Sequence, residues 1–186
     1  MEGRPLDERE LIVRSQDGDT AAFGELVRLH QALALRVAYL VVRDHAEAAD
    51  VTQDAFIKAY RSIGRFRAGS PLRPWLMRIV RNEALNKVRA DRRRRSLELR
   101  VSSNPVSGEA APSPETDAIA RDEQLQLLRR VDELPNKYRD VIAYRYLLGM
   151  SERETATALG LPPGTVKSRS ARALEKLRNV VVEDPP

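Results

Sequence analysis

The sequence contains no cysteine and only two histidines among its 186 residues. Without cysteine the chain forms no disulfide, builds no thiolate zinc site and performs no thiol catalysis, and such a chain suits a reducing cytoplasm. It also lacks any apolar run of about 18 residues, the length that a membrane-spanning helix needs. The first eight residues contain no apolar signal core. We therefore expect a cytoplasmic protein without membrane insertion.

Side chains that could perform catalysis are few and scattered. His30 and His45 have no companion at the spacing of a metal site or of a nucleophile and its base. His30 falls on an amphipathic helical pattern, where packing is the commoner role, and the carboxylates lie mainly at helix caps or ion-pairing positions. The sequence therefore predicts no catalytic residue, no metal site and no cofactor, so we do not expect an enzyme.

Positive charge is concentrated in one central segment. Residues 61–100 contain 13 Lys and Arg against 3 Asp and Glu, a local charge of +10, whereas the whole chain carries +5. The remaining residues therefore sum to −5. A basic segment inside an otherwise acidic chain is typical of a surface that binds a polyanion such as nucleic acid.

Apolar residues recur at helical spacing through most of the chain, and no strand-like alternation appears. The fold class is therefore predicted to be all-α, with two helical domains at residues 1–95 and 115–186. The segment 96–114 is rich in Ser and Pro, and its stretches 102–105, 107–108 and 111–114 hold turn formers and almost no apolar residues, which predicts a flexible linker. Helices are predicted over residues 7–16, 19–41, 44–63, 71–95, 115–134 and 138–149.

The residues predicted to face the core follow the same period. Trp75 is expected in the core rather than as a platform for base stacking. The other predicted core positions of the first domain are Phe23, Leu26, Val27, Leu33, Val37, Leu40, Val41, Val51, Ala55, Phe56, Ala59, Tyr60, Leu76, Ile79, Val80, Leu85 and Val88. Those of the second domain are Ile119, Leu125, Leu128, Val131, Tyr138, Val141, Ile142, Tyr146 and Leu147.

The last part of the chain predicts a helix-turn-helix. Ser151 and Glu154 form a capping box, Gly160 suits the left-handed end of a short helix, and Pro163 suits the first turn of the next. The outward face of that second helix carries hydrogen-bonding side chains at its amino-terminal half, the part that enters a DNA major groove. These side chains are Thr165, Lys167, Ser168, Arg169 and Arg172. A helical hairpin with a solvated basic face is the alternative.

Taken in order, these motifs resemble those of the extracytoplasmic-function (ECF, group 4) sigma factors of bacterial RNA polymerase. In the first domain the resemblance rests on the stretch 49–56 (ADVTQDAF), on Trp75-Leu76, on Asn82 and on the arginine run 89–94. In the second it rests on Leu134-Pro135, the stretch 149–160 and the stretch 164–169 (GTVKSR). It implies sigma domain 2 at 1–95, sigma domain 4 at 115–186 and no intervening third domain.

The resemblance also implies partners and roles. Asp50, Gln53 and Asp54 would bind the clamp helices of the largest polymerase subunit, and an anti-sigma factor is a further expected partner. The loop 65–74 would capture an unstacked promoter base. Contacts to the minus-10 element are expected from Arg65, Arg67, Arg73, Arg78, Asn82, Lys87, Arg89, Arg92 and Arg93. Contacts to the minus-35 element are expected from Thr165, Lys167, Ser168, Arg169 and Arg172.

Ser170 and Ala171 depart from the bulkier pair common in that family, which affects the predicted base preference. The expected function is binding of core polymerase together with promoter recognition and melting. The alternative is a helix-turn-helix regulator that does not depend on core polymerase, although it leaves the basic central segment unexplained.

Overall fold

A computed structural model describes residues 7–67, 69–101, 130–131 and 133–183. The chain divides into two compact units, Met1–Val106 and Ser107–Pro186. Every regular element within the described residues is a helix or a helical turn, which confirms the predicted all-α class. No helix among them is long and apolar enough to cross a bilayer.

The first unit is built from four helices. They are α1 (Glu8–Gln16), α2 (Thr20–Val42), α3 (His45–Ser62) and α4 (Leu72–Val101), with a 3₁₀ turn at Ile63–Arg65. Helices α2, α3 and α4 pack on one another, and α1 packs on α2.

Acidic caps determine where α2 and α3 begin. The Asp19 carboxylate accepts the backbone N–H groups of Ala21 and Ala22 at 2.9 and 3.0 Å, and that of Asp44 accepts the Glu47 N–H at 2.8 Å. These bonds satisfy donors that have no partner in the first helical turn. The N–H of Ala22, and after it the Arg14 guanidinium, holds the pKa of Asp19 below its usual value of 3.8.

The buried side chains of α2 include smaller and more polar residues than the sequence predicted. Leu26 and Val37 are buried as predicted, but Ala34 and Ala38 are fully buried and His30 is 9% exposed, whereas five other predicted residues lie only half-buried. Helix α2 contacts both α3 and α4, and helix axes approach closely where the side chains between them are small. The predicted core positions that are half-buried are Phe23, Val27, Leu33, Leu40 and Val41.

Helix α4 differs from the prediction at both ends. It begins at Leu72, after Pro71, and it continues to Val101 instead of closing at Arg95. Residues 96–101, which we placed in the linker, are therefore helical, because Leu, Glu and Arg favour a helix and the first turn-forming pair follows them. The rest of the expected linker and most of the helix expected over 115–134 lie outside the described residues.

The second unit contains α5 (Asn136–Ile142), α6 (Glu152–Leu159) and α7 (Pro163–Glu183), and α5 continues into a π-helical turn at Ala143–Leu147. Helices α5 and α6 both pack on α7. One buried cluster joins α5 to α7. It consists of Val131, Leu134, Tyr138, Ile142 and Ala173, with Leu177 packed against it.

The predicted helix-turn-helix is confirmed in its local details. The Ser151 hydroxyl accepts the Glu154 N–H at 3.2 Å, and the Glu154 carboxylate accepts the Ser151 N–H at 2.8 Å, which completes the capping box. Gly160 ends α6 in the left-handed region with φ of 66°, and Pro163 is the first residue of α7. Each of these helix ends is determined by residues only three or four positions apart.

The π-helical turn overturns two predicted core positions. The Leu148 N–H donates to the carbonyl of Ala143 at 2.9 Å, a bond from residue i to i−5 that changes the rotation per residue. Tyr144 is consequently buried, while Tyr146 and Leu147, which we expected to face inward, are 53% and 43% exposed.

Candidate nucleic-acid and partner interfaces

Three polar residues of α3 share one exposed face. Asp50, Gln53 and Asp54 are all exposed, opposite the buried Val51 and Ala55. Their spacing of three and four residues places neighbouring side chains on the same side of a helix. The residues singled out from the sequence for partner binding are therefore brought together.

An apolar groove lies beside this face and was missed from the sequence. It has a volume of about 380 Å³ and runs between α2 and α3. Ile57 is 42% exposed and Tyr60, which we expected in the core, is 37% exposed. The lining residues are Thr20, Phe23, Val27, Gln53, Phe56, Ile57 and Tyr60.

Helix α4 carries an exposed stripe of basic and amide side chains. Arg78, Asn82, Arg89 and Arg93 are all exposed and lie four, seven and four residues apart, which are close to whole turns of a helix. Asn86 is exposed next to them and was not predicted. Arg92, also exposed, lies at the edge of the same stripe.

Lys87 does not belong to that stripe. It follows Arg78 by nine residues, about two and a half turns, so it lies on the opposite side of α4. Its ammonium group lies 3.5 Å from a carboxylate oxygen of Glu47 and 3.6 Å from one of Asp91. The pair with Glu47 connects α4 to the start of α3, and the pair with Asp91 lies within α4. Arg73 is half-buried at the start of α4 and also lies off the stripe.

The basic segment between α3 and α4 is anchored at Phe66 and exposes the arginine on either side of it. Phe66 is buried, and its ring centroid lies 4.9 Å from that of Trp75. Trp75, which we expected in the core, is half-buried and packs against the same apolar cluster. Arg65 and Arg67, on either side of Phe66, are exposed and place positive charge at the surface.

The amino-terminal half of α7 presents a narrower face than the sequence predicted. Lys167, Ser168 and Arg172 are exposed, whereas Thr165 and Arg169 are only half-exposed. Val166 and Ala173 are fully buried and anchor the opposite side of the helix. The small side chain of Ala171 is exposed between the polar residues and was not among the predicted contacts.

Each of the two histidines contacts a side chain of the same unit. Nε2 of His30 lies 2.6 Å from a carboxylate oxygen of Glu8 and connects α2 to α1. His45 stacks on Tyr39 with ring centroids 4.3 Å apart. Within the part of the chain that the structure describes, no group of three or more His, Asp or Glu side chains is placed to hold a metal ion.

An all-helical chain with a basic helix in one unit and a helix-turn-helix in the other has the features of a transcription factor. Comparison with known families makes the assignment specific. Residues 26–94 match the family Sigma-70 region 2, and residues 124–177 match Sigma-70, region 4.

Relatives and solved structures agree with these matches. The chain is 38% identical over 178 residues to the RNA polymerase sigma-H factor of Pseudomonas aeruginosa, covering 91% of each chain. It is 36% identical over 184 residues to the ECF RNA polymerase sigma-E factor of Escherichia coli K12, covering 95% of each.

Two similar structures are complexes. The first is CnrH with the cytosolic domain of CnrY, at a TM-score of 0.69 and 26% identity, covering 96% of this chain and 99% of CnrH. The second is the sigma factor RpoE with the anti-sigma factor NepR from Bartonella quintana. Its TM-score is 0.65 at 25% sequence identity, and the match covers 88% of this chain and 98% of RpoE.

The chain belongs to the ECF sigma factors. It binds core RNA polymerase and directs promoter recognition for the initiation of transcription. Sigma factors are initiation factors rather than enzymes.

Proposed function

We propose that the polar face of α3 is the surface that binds the clamp helices of the polymerase. The supporting observation is the exposure of Asp50, Gln53 and Asp54 on one side of a helix whose other side is fully packed. Two carboxylates there attract a basic partner, and the neighbouring groove through Ile57 and Tyr60 supplies apolar surface that gains from burial.

We propose that the minus-10 element is contacted by the exposed stripe of α4 and by the basic segment before it. Arg78, Asn82 and Arg89 lie along one line on the helix, and such a line follows a strand of DNA. Arg65 and Arg67 extend the positive charge to the adjoining turn. In this proposal Lys87 maintains the contact between α3 and α4, because two carboxylates already surround its ammonium group.

We propose that α7 reads the minus-35 element in the major groove. Lys167, Ser168 and Arg172 are the exposed polar residues of its amino-terminal half, and the buried Val166 holds that half against the rest of the unit. Thr165 and Arg169 are half-exposed and are assigned contacts at the margin of this face.

We propose that an anti-sigma protein restrains this sigma factor by covering the α3 face and the adjoining groove. The solved complex of RpoE with the anti-sigma factor NepR supports the existence of such a partner class. A protein that occupied Asp50 and Ile57 would exclude the polymerase from the same surface.

Transcription from defined promoters tests these proposals. With core polymerase added, the full chain is expected to direct run-off transcription from a subset of promoters, and core polymerase without the chain should not produce these transcripts. We also infer that the chain acts in the cytoplasm and contributes no catalytic group of its own. A helix-turn-helix regulator independent of polymerase would instead bind its DNA equally well without the core enzyme and would fail to compete for it.

A further inference from the structure

Gln16, the last residue of α1, contacts the chain far away in sequence. Its side-chain Nε2 donates to the carbonyl oxygen of Ile63 at 2.9 Å and to that of Phe66 at 2.7 Å. A side-chain amide has two N–H donors, so one group satisfies both carbonyls. The side chain is half-buried, and these bonds span 47 and 50 residues of sequence.

The two acceptors bracket the 3₁₀ turn that leads into the exposed basic segment. The Phe66 N–H closes the turn by donating to the Ile63 carbonyl at 2.9 Å. Farther along, the Ser70 N–H donates to the Arg67 carbonyl at 3.1 Å. The carbonyl of Phe66 therefore marks the point at which the chain leaves the packed interior.

Apolar contacts between the same elements strengthen the attachment. Leu11 and Ile12 of α1 lie in one buried cluster with Ile63, Phe66 and Leu72. Helix α1 thus holds the start of the basic segment in two ways. Leu11 and Ile12 pack against its apolar residues, and the Gln16 amide binds its backbone. Packing alone tolerates small shifts, whereas two hydrogen bonds from one planar group fix a backbone in direction and in distance.

We propose that Gln16 is a positioning residue for promoter recognition, because it fixes where the basic segment begins, at the exposed Arg67, relative to the stripe of α4. This inference rests on the proposed function of that segment in contacting the minus-10 element. Gln16 lies before residue 26, where the match to Sigma-70 region 2 starts, so the family match does not include it. The first helix then contributes to base preference without touching DNA.

The test compares holoenzymes assembled with variants of the full chain. Gln16→Met keeps the length and the apolar stem of the side chain but removes both donors, and Gln31→Met makes the same change at an exposed position of α2. The probes are single-stranded minus-10 oligonucleotides from a promoter that the holoenzyme transcribes, together with single-base substitutions of them. Competition for core polymerase and binding to the minus-35 duplex are measured in parallel.

Gln16→Met is expected to reduce the preference for the best over the worst minus-10 strand by about tenfold, since two hydrogen bonds of ordinary net strength are lost. Core competition and minus-35 binding should stay within about twofold of the parent, given that those surfaces lie elsewhere. Gln31→Met should match the parent in every assay. In the free protein, Gln16→Met should also speed hydrogen exchange at the Ser70 amide.

Gln16→Asn keeps the amide but shortens its reach, and it replaces Gln16→Met if that variant fails to fold. An unchanged minus-10 preference in the folded variant would overturn the proposal. So would an equal loss of core, minus-35 and minus-10 binding, or the unfolding of both variants, because Gln16 would then serve only general stability. Arg67→Ala separates this inference from the function on which it rests: if Arg67→Ala leaves minus-10 binding unchanged, the assignment of the segment itself fails.

Discussion

Lys167 and Arg172, two exposed basic residues of α7, are expected to make different kinds of contact with DNA. Lys167 and Arg172 lie five residues apart, which separates them by about 140° around the helix and about 7.5 Å along it. They therefore leave the helix in different directions. We predict that Arg172 reads a base of the minus-35 element and that Lys167 positions the helix on a phosphate.

The two roles differ in size and in kind. A side chain that is bidentate to guanine discriminates against the wrong base by about 1–3 kcal/mol, roughly five- to 150-fold. A phosphate contact carries no sequence information but contributes about 0.9 to the slope of log affinity against log salt concentration. Arg172→Ala should therefore abolish preference at one or two positions, whereas Lys167→Ala should weaken all sequences alike and flatten the salt dependence by about one unit.

The assay is holoenzyme binding to a panel of promoter duplexes with single substitutions in the minus-35 element, at two salt concentrations. Lys176→Ala, which removes one exposed charge farther along α7, controls for the loss of charge alone and should leave base preference intact. If Arg172→Ala weakens every duplex equally and keeps the preferences of the parent, the base-reading assignment is wrong.

Three further predictions follow from other parts of the molecule. Reversing Asp50 and Asp54 to arginine should weaken competition for core polymerase while helicity measured by circular dichroism is retained, and unchanged competition would remove α3 from the interface. Thr155 is fully buried, and its hydroxyl has no hydrogen-bond partner among the described residues. Thr155→Val should therefore raise the free energy of unfolding by about 1 kcal/mol in denaturant titrations; a loss of stability would show that the hydroxyl is satisfied. Because the folded-state pKa of Asp19 is lowered, its stabilising contribution is present above pH 3.8 and is lost as the pH falls through that lowered value. Asp19→Asn should accordingly be less stable than the parent at pH 7, with a difference that shrinks below pH 3.8, and a difference independent of pH would contradict the cause given for the shift.

The helix boundaries set by short-range chemistry could be predicted from the sequence alone. Ser151 with Glu154, Gly160 and Pro163 each determine backbone conformation through groups within about one helical turn. Asp50, Gln53 and Asp54, which the resemblance singled out, share an exposed face because residues three and four apart lie on one side of a helix. The concentration of basic residues in 61–100 likewise indicated a nucleic-acid partner without any coordinates.

Tertiary structure decided what lies between the elements. Because Phe23 and Leu33 are large and apolar, we expected them to fill the core. Helix α2 packs closely on α3 and α4, however, and Ala34 is the residue that this contact buries fully. The resemblance implied that Lys87 contacts DNA, and folding places its ammonium group near carboxylates of α3 and α4, which no local pattern indicated.

Long-range partners explain these differences. The bonds of Gln16 to the start of the basic segment cross 47 and 50 residues, and no local pattern encodes a partner at that separation. The sequence by itself thus determined the capped helix ends, the all-α class and the family of the chain. Contacts between distant segments form only in the folded chain. These contacts decide which helix faces pack together and which polar groups become paired within the protein.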